Sequence, residues 1–364
     1  MRERNDAGFA PVSCYHRGVM GAGMNPGGKR ERLARGLHRC GAPFLLSLLP
    51  ARNSLVVLNY HRIGDPGGDL FDPGVFSATA DQFDEQISYL KTRVSLITLE
   101  EAMSWIAGAD TEKARRSCVL ITFDDGYLDN YEIAYPILKS HGAQGVFFLA
   151  TGMVGSCHIP WWDQIAYSVK TAQKRRFSLS YPAVLAVDLD QFGVEASLQA
   201  ILKLYKRAEN TDTARFMQEL AAETEGAVPP TTLRRFLNWE EAREMAAGGM
   251  AIGSHTHSHH LLSQLPPEQQ CEELSRSRAI LREELGANVS ALAYPVGGRT
   301  SFTNQTKQMA REAGYRAAFS FYGGTNLPGK IDPFDVRRIG IGGQSKSRFQ
   351  VQMSICRVTG SYWP

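Results

Sequence analysis

Short apolar runs recur along this chain and alternate with segments of helical spacing. Phe83, Ile87 and Leu90 recur at helical intervals, and the stretch Pro267–Leu285 opens with prolines and stops before a glycine. Fully apolar strands between such helices predict an α/β fold with a parallel sheet covered on its outer face. Seven strands favour closure of that sheet into a barrel. The runs are Leu55–Tyr60, Val119–Phe123, Gly145–Ala150, Met250–Ser254, Ser290–Ala293, Arg316–Ser320 and Val336–Ile341.

Polar residues follow several of these runs directly. His61 follows the first run, Asp124 and Asp125 follow the second, His255 follows the fourth, and the turn Tyr294–Val296 follows the fifth. In barrels of this type the chemistry lies where strands end and the following loops begin. The sequence therefore predicts that these residues meet at one rim.

The paired aspartates and the histidine-rich segment indicate a metal-assisted hydrolase. Two imidazoles and one carboxylate complete a three-ligand site with an open position for water, and the second carboxylate is then free to act as a base. The segment from His255 to His260 contains four histidines. Residues 255 and 259 share a face of a helical turn, whereas 255, 257 and 259 share a face of a strand, so spacing alone leaves both sets open.

The composition excludes some classes of protein. The chain has 364 residues, of which 43% are hydrophobic and 21% charged, and this is ordinary for a globular protein. A formal charge of +3 is too small to predict a nucleic-acid partner. The six cysteines are widely scattered, which argues against a disulfide framework.

Two segments depart from the rhythm of strands and helices. Residues 1–50 are expected to be disordered or peripheral, with the barrel domain at 51–364, and residues of roughly 165–235 are expected to form a helical insertion or lid. Basic Lys29–Arg39 precedes apolar Ala42–Leu49, which is too short to span a bilayer. We expect a cytoplasmic or peripheral membrane protein. Export by a signal peptide stays open if translation begins at Met20 or Met24.

The motifs resemble those of the polysaccharide deacetylases of the NodB-homology type. The resemblance rests on Thr122–Gly126, on the block Ser254–His260 and on the Tyr294–Gly297 turn, and it extends from about residue 55 to about residue 355. It implies a distorted (β/α)7 barrel. It also implies removal of acetyl groups from a polysaccharide or glycoconjugate, with N-acetyl favoured over O-acetyl. The sequence predicts no protein partner.

The resemblance also implies roles for individual residues. Asp125, His255 and His259 would hold one divalent ion, zinc being favoured and cobalt or nickel being alternatives, and Asp124 would be the general base. The Val296 N–H would stabilise the oxyanion. Trp162 and Asp163, together with Tyr294, Pro295 and Val296, are predicted to contact the substrate.

The chain departs from many relatives at two positions. Those relatives take a general acid from a C-terminal histidine, but no histidine follows His260 here. His61 is predicted to replace it, as in the subset that resembles poly-N-acetylglucosamine deacetylases. Ala293 stands where many relatives have an arginine that orients the catalytic aspartate, and Arg338 is the predicted substitute.

Alternative interpretations remain open at this stage. These departures also suit a catalytically silent carbohydrate-binding protein on the same fold. A glycosidase that uses Asp124 and Asp125 as its carboxylate pair would need them at least ~5 Å apart on opposite sides of the bond. His61 also suits a hydrogen-bonded core histidine, and Trp162 with Asp163 also suits a well-packed corner.

Overall fold

The computed structural model describes residues 28–108, 117–232, 234–286 and 288–363. Its strands are β1 (Ser54–Tyr60), β2 (Arg62–Ile63), β3 (Phe76–Ala78), β4 (Ser95–Leu96), β5 (Ser117–Phe123), β6 (Gly145–Leu149), β7 (Arg176–Leu179), β8 (Leu185–Asp188), β9 (Ala251–Ser254), β10 (Ala291–Ala293), β11 (Ala317–Ser320) and β12 (Val336–Gly340). Its α-helices are α1 (Lys29–Arg39), α2 (Ala42–Ser47), α3 (Ala80–Arg93), α4 (Leu99–Ile106), α5 (Tyr135–His141), α6 (Trp161–Lys170), α7 (Leu189–Phe192), α8 (Val194–Tyr205), α9 (Thr213–Thr224), α10 (Trp239–Ala247), α11 (Pro267–Leu285), α12 (Asn304–Glu312) and α13 (Lys346–Thr359). A π-helical turn, Asn130–Ala134, leads into α5.

Seven parallel strands close into a barrel. Their order is β1-β12-β11-β10-β9-β6-β5, and β5 pairs back onto β1 along its whole length, from Ser54 beside Ser117 to Tyr60 beside Phe123. The short strand β4 pairs in parallel with the N-terminal part of β5, at Cys118 and Val119. Each of the seven predicted runs overlaps one barrel strand within two residues at either end. The predicted seven-stranded barrel is therefore confirmed.

The barrel strands are apolar throughout because both of their faces are buried. Val57 of β1 and Phe148 of β6 belong to the cluster inside the barrel, whereas Val56 and Leu58 pack with helix residues such as Phe83. Alternate residues of one strand therefore pack into two different cores, one inside the barrel and one between the barrel and its helices. This arrangement explains why the strands carry no polar alternation in the sequence.

The insertion after β6 has a core of its own. It begins with α6 and continues through α9, and it contains an antiparallel hairpin in which β7 pairs with β8. Its buried side chains, including Trp161 and Leu198, form a separate apolar cluster that also takes in Tyr127 from the barrel rim. The helical pattern predicted most of this segment but missed the hairpin.

The described part of the N-terminal segment packs on the last helix. The His38 ring lies 2.9 Å from Gln350 Oε1, and Arg357 donates to the Leu46 and Leu49 carbonyls at 3.3 and 3.0 Å. Residues 1–27, to which part of the N-terminal prediction applies, lie outside the described residues. Within the described ranges, no helix has both the length and the hydropathy that crossing a membrane requires.

Candidate metal centre

The two aspartates lie in a sharp turn at the end of β5. The Asp124 N–H donates to the Tyr60 carbonyl at 3.0 Å, which extends the β1–β5 ladder by one bond. Asp125 and Gly126 then adopt φ angles of 76° and 80°. A Cβ at position 126 would lie 2.8 Å from Leu149 Cδ2, so both the conformation and the space require glycine here.

Unusual backbone angles concentrate at this rim. In the described residues, the non-glycine residues with positive φ are Asp125, Thr256, His259 and Val296, together with Glu225 in the insertion. Such conformations cost of order 1–3 kcal/mol each and persist where the surrounding structure imposes them. The first four belong to the segments that sequence analysis assigned to the site.

Asp125, His255 and His259 form a buried three-ligand cluster. Asp125 Oδ1 lies 3.4 Å from His255 Nε2 and 3.2 Å from His259 Nε2, and no other group in the described ranges donates a hydrogen bond to this oxygen. Ligand atoms about 2.0–2.1 Å from a tetrahedral zinc ion are roughly 3.3–3.4 Å apart. The three side chains therefore fit a divalent ion. His257 instead bonds to Thr151 Oγ1 at 2.9 Å and stays outside the cluster.

Hydrogen bonds and packing orient the two imidazoles. His255 Nδ1 lies 2.8 Å from the Ala293 carbonyl, which can only accept, so Nδ1 carries a proton and Nε2 is the nitrogen that faces Asp125. The His259 ring packs against Trp162, with 4.7 Å between ring centres. Both rings are thereby held with Nε2 towards the same carboxylate oxygen.

Asp124 is held by an arginine and an asparagine from neighbouring strands. Arg338 of β12 donates to Asp124 Oδ1 at 2.6 Å and to Oδ2 at 2.8 Å, and it also donates to Asn59 Oδ1. Asn59 Nδ2 donates to Asp124 Oδ2 at 3.0 Å. The predicted substitute for the missing arginine thus lies in bidentate contact with Asp124, and Ala293 supplies its carbonyl to His255 instead.

These contacts keep both carboxylates ionised despite their burial. Burial is the largest influence and raises the pKa of Asp124, but the charge and hydrogen bonds of Arg338, together with the nearby His255 and His61, bring this pKa below its usual value. Burial likewise raises the pKa of Asp125, and the contacts with His255 and His259 bring it well below its usual range. The site therefore holds two adjacent carboxylates, Asp124 paired with the Arg338 guanidinium and Asp125 in contact with the two imidazoles.

His61 lies beside the aspartates with its backbone fixed. Its N–H donates to Ser77 Oγ at 2.9 Å, and its carbonyl accepts from Asn130 Nδ2 at 2.7 Å. Its ring packs edge-on to Phe321 at 5.7 Å and is close enough to attract both Asp124 and Asp125 electrostatically. The ring makes no hydrogen bond within the described part of the chain.

The turn after β10 lies on the same rim. Tyr294 is buried, stacks on Phe302 and donates to the Phe334 carbonyl, and Pro295 is buried as well. Val296 is partly exposed, with φ at 61°, and its N–H has no acceptor among the described residues. Of the three predicted contact residues, Val296 is the one that offers both surface and a free donor.

Trp162 and Asp163 have different environments. The Trp162 Nε1–H donates to Tyr127 Oη at 2.8 Å, and its ring touches His259. Asp163 is fully buried, accepts from the Asp72 N–H at 3.0 Å and lies 3.2 Å from Arg235. Trp162 thus connects the insertion to the metal ligands. Asp163 fixes the loop between β2 and β3 and offers no surface to a sugar in this structure.

Sequence analysis missed three residues of the site. Asn59 orients both Asp124 and Arg338, yet it looked like an ordinary strand residue. Tyr127 bonds to Trp162 beside the ligands. Lys206, from the insertion, lies over the Trp161 ring at 5.6 Å and is attracted to Asp125. Only the position of Asn59, at the end of β1 and two residues before His61, was a usable signal.

A parallel barrel with a buried Asp-His-His cluster at its carboxyl rim defines a metal-site protein of the α/β class. A family model described as Polysaccharide deacetylase matches residues 111–318, more than half of the chain. The chain therefore belongs to the polysaccharide deacetylase family of hydrolases.

Individual relatives agree with this assignment. YxkH of Bacillus subtilis (strain 168) is 24% identical over 263 residues, which are 72% of this chain and 62% of the relative. A poly-beta-1,6-N-acetyl-D-glucosamine N-deacetylase of Staphylococcus epidermidis is 31% identical over 115 residues, which are 29% of this chain and 39% of the relative. The chain thus spans less than two thirds of the length of these curated relatives.

Two solved structures share the fold. IcaB from Ammonifex degensii gives a TM-score of 0.54 at 23% identity, over 85% of this chain and 100% of that one. The Streptococcus pyogenes deacetylase PplD in complex with acetate gives 0.54 at 20% identity, over 82% and 97%. At these identities the likeness supports the fold, and the chemistry has to be argued from the site.

Proposed function

We propose that this protein hydrolyses acetyl groups on a polysaccharide or glycoconjugate, with one divalent ion held by Asp125, His255 and His259. The observation that carries the proposal is that the two adjacent carboxylates have different partners. Asp125 Oδ1 lies 3.4 and 3.2 Å from two imidazole nitrogens, whereas Asp124 lies 3.9 Å from that of His255 and is hydrogen-bonded to Arg338 and Asn59. One carboxylate is thus placed to bind metal and the other to move a proton.

The donor set suits zinc, and cobalt or nickel would also be accepted. When bound there, the ion would lower the pKa of a water and polarise the acetyl carbonyl. The protonated Nδ1 of His255, held by the Ala293 carbonyl, leaves Nε2 available as a ligand. The unpartnered Oδ1 of Asp125 is available in the same way.

The remaining roles belong to side chains and one backbone donor. Asp124 accepts the proton of the attacking water, and its two bonds to Arg338 keep the carboxylate aimed during the transfer. The free Val296 N–H donates to the acyl oxygen as that oxygen gains charge. His61, whose ring bonds to none of the described residues, donates a proton to the departing sugar nitrogen or oxygen.

An N-acetyl substrate is favoured over an O-acetyl one. The relative from Staphylococcus epidermidis is named as an N-deacetylase of poly-beta-1,6-N-acetyl-D-glucosamine. An amine leaves poorly unless it is protonated, and a histidine beside the site meets that need. The alternative of a catalytically silent carbohydrate-binding protein rested partly on the missing arginine at position 293. The contact between Arg338 and Asp124 weakens that reason.

Two variants test the division of labour. Asp124→Asn should retain one equivalent of metal but lose acetate release from N-acetylglucosamine oligomers, whereas Asp125→Ala should lose both. His257→Ala, from the same histidine-rich segment but outside the cluster, is the matched control and should retain both. Acetate release by metal-free Asp125→Ala would refute the proposal. Absence of acetate release in the metal-loaded wild type across N- and O-acetylated glycans would favour the silent binder.

A further inference from the structure

Large apolar side chains are exposed in one short stretch of the chain. Leu33, Phe44, Leu45, Leu48 and Leu49 expose between 45% and 69% of their surface. The other exposed large apolar residues of the described ranges are scattered over the loop after β1 and the insertion, at positions 70, 184, 192 and 228. We call the first five residues the N-terminal apolar patch.

Most of the patch lies on α2 and the turn that follows it, and this segment is also bonded to α13. Phe44 and Leu48 are four residues apart, as are Leu45 and Leu49, so each pair lies on one side of α2 and the turn that follows it. The carbonyls of Leu46 and Leu49 accept from Arg357 of α13, which holds α2 against the domain. The helix therefore cannot turn its apolar side chains inward without breaking these bonds.

Positive charge is concentrated on the helix next to most of the patch. Helix α1 carries a lysine and four arginines between positions 29 and 39, and Lys29, Arg30, Arg32 and Arg39 are exposed. Glu31 is the one acidic residue between positions 28 and 50, and it is buried. Exposed apolar side chains beside basic ones are the combination that binds anionic lipid surfaces, because burial and charge attraction act together.

The patch lies at the opposite end of the barrel from the metal centre. Its last residue precedes β1 by a few residues, and the Arg52 N–H donates to the Arg357 carbonyl at 2.8 Å, near the C-terminal end of α13. The metal ligands follow the carboxyl ends of the strands. A seven-residue strand such as β1 is roughly 23 Å long. Contact through the patch would therefore leave the catalytic rim directed away from the bound surface.

We propose that the N-terminal apolar patch docks this protein on an anionic bilayer surface. A second copy is a poorer occupant, because two such patches would bring like charges together. Residues 1–27 are also a poor complement, since they contain three arginines against two acidic residues. The inference does not depend on the proposed hydrolysis, and its test uses no activity measurement.

The test is vesicle co-sedimentation of the full 364-residue chain. The wild type should bind vesicles of phosphatidylcholine with about 30 mol% phosphatidylglycerol and should bind pure phosphatidylcholine much more weakly. Binding should fall when salt rises from about 0.1 M to about 1 M, because the Debye length shrinks from about 10 Å to about 3 Å. Phe44→Ser/Leu48→Ser should weaken binding at least about tenfold.

A matched control separates the patch from general surface apolarity. Val184→Ser/Val228→Ser removes two side chains that are more than 80% exposed but lie in the insertion, and it should leave binding unchanged. Equal binding by wild type and Phe44→Ser/Leu48→Ser would overturn the proposal, as would no binding to either vesicle. A wild-type dimer in analytical ultracentrifugation that dissociates in Phe44→Ser/Leu48→Ser would overturn it in favour of a second copy.

Discussion

Arg338 and Asp124, which are 214 positions apart in the chain, form a bidentate ion pair inside the barrel. The Arg338 side chain is fully buried, and Asp124 is almost so. Desolvation of two charges is costly, so such a pair is weak evidence for a net gain in stability. It gives Asp124 a fixed direction beside the metal ligands.

Removal of this arginine should damage both folding and turnover. Arg338→Met leaves the Asp124 charge buried and unpaired, and we expect the free energy of unfolding to fall by about 3–5 kcal/mol. Acetate release should fall at least about 100-fold, because the carboxylate loses its orientation. Chemical unfolding and acetate assays measure the two effects.

A double variant and a neighbouring arginine serve as controls. Arg338→Met/Asp124→Asn removes both charges, so it should be more stable than Arg338→Met alone. Arg337→Met changes the adjacent exposed side chain and should leave turnover unchanged. A double variant that is less stable than Arg338→Met would show that the unpaired Asp124 charge is not what destabilises the single variant.

His61→Ala should affect substrates according to their leaving groups. Turnover of an N-acetylated sugar should fall about 10²–10⁴-fold, because the amine then departs without a proton donor. Turnover of 4-nitrophenyl acetate should fall far less, since its phenolate leaves unprotonated. Metal content should not change. His158→Ala, at an exposed loop position, is the control. Equal losses on both substrates, or loss of metal, would support the core-histidine interpretation instead.

Gly126→Ala tests the turn that carries the aspartates. Gly126 and Gly108 both have φ of 80°, but a Cβ at 126 would meet Leu149 at 2.8 Å, whereas one at 108 meets nothing within 4 Å. Gly108→Ala should therefore cost only the backbone strain, about 1 kcal/mol, and Gly126→Ala about 1–3 kcal/mol more. Gly126→Ala should also lower turnover. Similar unfolding midpoints for the two variants would contradict this account.

The buried Asp163 predicts a pH dependence of stability. Burial raises its pKa from 3.8 to about 6 in the folded chain, against the opposing effect of Arg235. The folded state therefore binds this proton more tightly than the unfolded state does. Stability from this source is present below about pH 4 and is lost as the pH rises through about 6. Two pKa units correspond to about 3 kcal/mol.

Asp163→Asn removes that titration. The free energy of unfolding of the variant, relative to wild type, should rise by up to about 3 kcal/mol between pH 4 and pH 7. Asp190→Asn, which alters an exposed carboxylate bonded to Arg175, should show no comparable slope. Parallel curves for wild type and Asp163→Asn, measured by urea unfolding across this range, would contradict the argument.

Much of the fold was predictable because the barrel strands are buried on both faces. Runs such as Val119–Phe123 are continuous and apolar, so their number and boundaries are visible in the sequence. The hairpin of β7 and β8 was not, because each strand has four residues and lies between helices whose periodicity dominates the segment. Short half-exposed strands depend on their partner, which a local pattern does not reveal.

The three residues of the candidate metal site were predictable, but the residues that orient them were less so. Asp125 and His255 directly follow strands, and a barrel brings such positions together. The sequence suggested Arg338 as the substitute but did not show how it would contact Asp124. That contact exists only once β12 pairs with β1. Asn59 gave no chemical signal, because its function depends on Asp124 and Arg338 being adjacent in space.

The most direct test of the account is a metal titration of the stripped protein. Wild type freed of metal by chelation should show no acetate release from an N-acetylglucosamine oligomer. Release should return in proportion to added zinc and should reach its plateau at about one equivalent, with no recovery in Asp125→Ala. Full acetate release by the metal-free wild type, or equal recovery in Asp125→Ala, would contradict the central claim that this cluster supplies the catalytic ion.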